Sequence, residues 1–151
     1  MSYLESFSKS IDQSLSTSDV VTKVIIPGTK EHHCRYVDIL DSQCVGPPDF
    51  FISHRWGANF QTLLKSVKQH FEEEDSALGK DICVWIDIFA INQHPGREQV
   101  DDLAHLQNVI RQAQSTLLIL DDTGQVLCLG ITDCVPCFVL TFKLYAMASQ
   151  I

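Results

Sequence analysis

An α/β domain with a short parallel sheet is the fold class the sequence predicts, and three observations predict it. Between residues 50 and 120, apolar runs and amphipathic stretches alternate in the order strand, helix, strand, helix, strand. The runs are apolar at consecutive positions, as in strands buried on both faces of a parallel sheet. Polar residues collect where the runs end. Such alternation is the signature of βαβ units with right-handed crossovers.

The elements follow in chain order. Leu4, Phe7, Ile11 and Leu15 recur at helical spacing and predict a short amphipathic helix. Val20 to Ile26 reads as a strand ended by Pro27-Gly28, and Arg35 to Leu40 as a second extended piece. Gly46-Pro47-Pro48 is the clearest punctuation, so the chain divides into an N-terminal extension (1–46), a core (47–127) and an apolar tail (128–151). In the core, Phe50-Phe51-Ile52 is a strand, and Phe60, Leu63, Leu64, Val67 and Phe71 form one helical face. Ile82 to Phe89 is a second strand; Val100, Leu103, Leu106, Ile110 and Ala113 mark a second helix; Thr116 to Leu120 is a third strand.

Composition narrows the function classes. A chain of 151 residues, 45% hydrophobic and 20% charged, fits one domain with a real core. A net charge of -8 argues against nucleic acid as a partner, which needs a basic face. The stretch Val135 to Ala148 is too short for a membrane span and is interrupted by Lys143, so no membrane association is expected. Met1 to Thr17 lacks a basic region followed by an apolar core, and the six cysteines therefore read as reduced cytoplasmic thiols. His32-His33-Cys34 has no second half at zinc spacing, and no metal is expected. Cys134-Val-Pro-Cys137 has redox spacing but lacks the strand and helix start that would activate it.

Ligands on open α/β sheets sit beyond the carboxyl ends of the strands. Those ends carry Ser53-His54-Arg55-Trp56-Gly57, then Asp87 and Asn92-Gln93-His94, then Asp121-Asp122. Asp87 either meets a ligand or is satisfied by loop amides. Asn92 and Gln93 either face a partner or hold their own loop by side-chain-to-backbone bonds. Trp56 and Gly57 suit an aromatic wall and a close backbone approach, and Trp56 equally suits a cap on the core. Ser53 and His54 are adjacent and point to opposite faces, so they do not pair as nucleophile and base.

Two words carry a family resemblance: FISHRWG (51–57) and WIDIFAINQ (85–93). The first resembles the opening strand of Toll/interleukin-1 receptor (TIR) domains and the Trp-Gly ending of the matching strand in fungal heterokaryon-incompatibility domains. The second is similar to the tryptophan–aspartate–(cysteine)–isoleucine–asparagine–glutamine word of the same fungal family. The resemblance covers roughly residues 49–122. It implies a flavodoxin-like parallel sheet with flanking helices, used in immune or cell-death signalling through self-association or docking to related domains. It also implies, as the alternative, cleavage of NAD, with Ser53, His54, Trp56, Gly57, Asn92 and Gln93 around the nucleotide and a carboxylate to stabilise the ribosyl cation. The family's glutamate for that step lies after the third strand, and this chain has no glutamate beyond Glu98. Asp87 is then the candidate catalytic acid. The segment after Leu127 reads as an atypical ending, of the kind a truncated or alternative product carries.

Overall fold

The structure is a computed structural model that describes residues 2–74 and 82–119. Its centre is a three-stranded sheet of order β2-β1-β3, formed by β1 (Phe50–Ser53), β2 (Val84–Trp85) and β3 (Ser115–Leu118). Both pairings are parallel: Phe50 and Phe51 register with Val84 and Trp85 on one side, and Phe50 to Ser53 with Ser115 to Leu118 on the other. The parallel α/β arrangement expected from the alternating pattern is therefore present.

Strand geometry sends successive side chains to opposite faces. Phe50 and Ile52 join one buried cluster with Phe60, Leu63, Leu64, Val67 and Phe71 of α4 (Phe60–Glu74). These five α4 residues are the face that helical spacing picked out. On the other face, Phe51 stacks on Trp85 with ring centres 4.7 Å apart.

The N-terminal residues enter the same cluster. In α1 (Ser2–Ser10), Phe7 is 5% exposed, and its ring meets Phe60 and Phe89 edge-on at 6.0 and 5.1 Å. Val20, Val21 and Ile25 are also buried there. These three belong to helix, not to the expected strand. A run of β-branched residues favours strand in isolation, but two local features overrule it. Ser16 and Asp19 form a reciprocal capping box that starts α2 (Thr17–Val20). Positions 20, 21 and 25 then share one helical face, which the core covers. A π-helical turn (Val21–Ile25) follows, and then α3 (Ile26–Thr29). The Ile26 amide bonds Val21 O, five residues back, so the ladder is already widened where Pro27 supplies no N–H.

Three other boundaries differ from expectation. Tyr36–Ile39 is a 3₁₀ turn, because the Asp38 carboxylate accepts from the Arg35 amide at 3.1 Å and from its guanidinium at 2.7 Å, curling the segment. The apolar run 82–89 is strand only at Val84–Trp85; at Asp87 it turns into the single helical turn α5 (Asp87–Ala90). The second helix is broken into α6 (Arg97–Ala104) and α7 (Leu106–Gln112) at His105, whose Nδ1 lies 2.7 Å from Asp101 O and whose amide also bonds that carbonyl. Of the expected face, Leu106 is buried, whereas Val100 and Leu103 are 64% and 38% exposed. The tail 128–151 lies outside the described residues, as do Leu120, Asp121-Asp122 and the stretch where the family's glutamate would fall. Among the described residues, no helix is long and apolar enough to cross a membrane.

Two buried side-chain atoms lack a hydrogen-bond partner among the described residues, Thr17 Oγ1 here and His54 Nε2 at the strand ends. Thr17 is fully buried, and its hydroxyl makes no hydrogen bond among the described residues. Thr17→Val is expected to stabilise the fold by about 1 kcal/mol, because it removes an unsatisfied hydroxyl at constant shape. Urea denaturation checks it.

Candidate functional site

The carboxyl end of β1 leads into the loop 54–59, and the first turn of α2 grips that loop. The Thr17 and Ser18 amides, which no helix carbonyl can satisfy, donate to Ala58 O and Trp56 O at 3.0 Å each. Ser16 bridges Asn59 in antiparallel fashion, and the Phe60 amide returns a bond to Leu15 O. The FISHRWG loop is thus fixed by a segment that precedes it by about forty residues.

Trp56 is held in turn by Asp87. Its indole Nε1 donates to Asp87 Oδ2 at 2.7 Å, while Asp87 Oδ1 accepts from the Ile88 amide at 2.7 Å. Asp87 is 4% exposed. The third member is His54, whose Nε2 stands 3.7 Å from Asp87 Oδ1 and has no hydrogen-bond partner among the described residues. Burial pushes the His54 imidazole below its ordinary pKa; Asp87 and a backbone bond to Ile52 oppose that shift without cancelling it. The structure therefore brings together His54, Trp56 and Asp87 from two strand ends.

Asn92 and Gln93 lie in the next loop, both buried. Gln93 Nε2 donates to Asp87 O at 3.2 Å and to Ile91 O at 3.0 Å, closing the turn that follows α5. Asn92 does more. Its amide donates to Asp102 Oδ2 at 2.8 Å, its Nδ2 to His33 O at 2.6 Å, and its Oδ1 accepts from the His94 amide at 2.9 Å. His94 is buried and stacks on His33 at 4.5 Å. Thr29 Oγ1 lies 2.8 Å from Ile25 O and 2.8 Å from His94 Nε2, linking the imidazole to the α3 turn. His33 adopts a positive φ of 49°, which orients its carbonyl toward Asn92.

The remaining nominated residues are Ser53 and Gly57. Ser53 ends β1, and its carbonyl accepts from the Ile119 amide at 2.8 Å. Gly57 is exposed, and a Cβ there would meet only the Arg55 guanidinium, at 3.6 Å. Thr29, His33, His94 and Asp102 were not singled out from sequence as partners of this loop. In the sequence, His94 reads only as one of the polar residues at the strand ends, and His32-His33 only as half of a metal site, a reading set aside for want of a second half.

Chemically, the arrangement is a clasp. Asp87 has both oxygens bonded, and the side-chain amides of Asn92 and Gln93 bond to backbone groups. His54 Nε2 is the one orphan polar atom in the cluster. Its burial sets a pH dependence. The unfolded imidazole protonates below about 6.5, whereas the folded one resists protonation, so the unfolded state binds more protons as pH falls. Stability is complete above about 6.5 and declines as pH drops from there through the lower folded-state value, by at most about 1.4 kcal/mol per pH unit. His54→Gln, a polar side chain that does not titrate, is expected to flatten that part of the profile in denaturation at pH 7.5 and pH 5.

The fold and site define a small α/β domain with a parallel sheet and an internally bonded polar cluster at its strand ends. No protein-family model, curated protein or solved structure matches the chain.

Proposed function

We propose that the domain is a signalling and interaction module of TIR-like type, which self-associates or docks on related domains in the cytoplasm. The observation that carries this reading is the saturation of the strand-end cluster: Asp87, Asn92 and Gln93 are buried and bonded internally. A carboxylate that must meet a developing ribosyl cation has to face the ligand, and this one faces Trp56 and Ile88. The sheet order β2-β1-β3 also supports the reading, since it matches the first three strands of a flavodoxin-like sheet.

The same loop presents a surface for contact. It runs directly into α6, which buries none of its residues and leaves Val100 and Leu103, three apart, exposed on neighbouring positions. Self-association through this helix is the expected mode. Sedimentation velocity across a concentration series is expected to show reversible association, weakened about tenfold by Val100→Glu, since a charge buried at an interface is costly. A chain that stays monomeric up to high micromolar concentration, with no binding to related domains, contradicts the proposal.

The second reading, an NAD-cleaving hydrolase using Asp87, draws on one observation: the orphan His54 Nε2 beside the carboxylate. Nicotinamide release from NAD by the purified chain, abolished in Asp87→Asn while the variant stays folded, would replace the first reading with this one.

A further inference from the structure

A second feature lies away from the strand ends, beside the edge strand β2. There a cavity of about 370 Å3 is walled by α1, by the turns of residues 35–48 and by Ile82 to Ile86. Two of its lining side chains are cysteines with free thiols, Cys44 and Cys83. We propose that these two form a redox-sensitive dithiol, open when reduced and closed to a disulfide by an oxidised low-molecular-weight thiol such as glutathione disulfide.

The two sulfurs sit in different settings. Cys83 is fixed by the sheet: its amide donates to Asp49 Oδ2 at 3.0 Å, and its carbonyl accepts from the Asp49 and Phe50 amides at 2.8 and 3.3 Å. Its side chain is half-buried. Cys44 is exposed and ends a 3₁₀ turn (Ser42–Cys44), where its amide bonds Asp41 O at 2.8 Å. The segment after that turn crosses the Cys83 thiol. A Cβ built on Gly46 would lie 3.1 Å from Cys83 Sγ, so the backbone at Gly46 runs close beside that thiol. Cys44 is two residues from Gly46, which puts their Cα atoms at most about 7 Å apart. Closure asks residues 45–48 to shift; Val45, at their start, is 43% exposed.

The exchange balances as two displacements. The exposed Cys44 thiolate attacks glutathione disulfide, forming a mixed disulfide and releasing one glutathione thiolate. Cys83, as its thiolate, then attacks the Cys44 sulfur and releases the second. Two protons leave the protein thiols, and two electrons pass from the protein sulfurs to glutathione. The new bond straps residues 42–48 to the start of β2, joining the N-terminal segment covalently to the sheet.

The full chain is incubated with glutathione disulfide at pH 8, quenched with acid, digested without reductant and mapped by mass spectrometry. The expected product is a peptide pair joined through Cys44 and Cys83, lighter by two hydrogens and reversed by dithiothreitol. Native protein is expected to give about tenfold more of it than the same chain in urea, because the fold holds the thiols at high effective concentration. Cys83→Ser is expected to stop at glutathione on Cys44. The proposal is overturned if Cys44 pairs instead with Cys34 or a tail cysteine, if both thiols carry glutathione without joining, or if urea leaves the yield unchanged.

Discussion

Replacing Asp87 by alanine is expected to destabilise the domain by about 2–4 kcal/mol, since the change leaves buried donors without their acceptor. Trp56 Nε1 and the Ile88 amide both lose their partner in a site where Asp87 is 4% exposed and water does not readily substitute. The start of α5 loosens with them, and through Gln93, which donates to Asp87 O, so does the following turn. Tryptophan fluorescence is expected to shift to the red as the Trp56 indole gains water, and urea denaturation gives the free energy. Asp87→Asn retains an acceptor and is expected to lose less. A variant as stable as the parent would mean that the carboxylate is not a clasp.

Phe7→Ala is the second large effect, at about 3–5 kcal/mol. Phe7 is 5% exposed and touches rings from three other parts of the chain, Phe60 of α4, Phe89 of α5 and Tyr36. Edge-on aromatic contacts of this kind add to the area they bury, and the truncation leaves a cavity among the three rings. The thermal midpoint is expected to fall accordingly. A small shift, under about 1 kcal/mol, would mean that α1 packs loosely and that residues 47–119 stand without it.

The core of the sheet was legible because its period is unambiguous. Phe60, Leu63, Leu64, Val67 and Phe71 read as one helical face and are buried as one. The three strands were legible as apolar runs, but their lengths were not: in ICVWIDIF, Ile86, Ile88 and Phe89 are buried whether the chain is extended or turned, so hydrophobicity did not mark where β2 ends. Asp87 decides that, through a bond to the indole of Trp56, thirty-one residues away. The helical turns of residues 17–29 were hidden for a related reason. VVTKVII favours strand by propensity; the Ser16/Asp19 capping box just before it is a local helix start that the propensity reading passed over, and the core that covers its buried face comes from α1, α4 and α5, which no local window contains. At the candidate site, His54, Trp56 and Asp87 were nominated together because they end neighbouring strands. The sequence left Asp87 open between ligand contact and satisfaction by loop amides. The indole and the Ile88 amide satisfy it, and burial of this kind depends on the packed fold.

The claim that the strand-end cluster is an internal clasp is tested most directly by a double-mutant cycle between Trp56 and Asp87. Free energies of unfolding are measured in urea for the parent, Trp56→Phe, Asp87→Ala and the pair, each single change removing the bond. A coupling of about 1–3 kcal/mol is expected for a short bond to a buried carboxylate. Strictly additive losses would contradict the account and return Asp87 to the ligand-facing role.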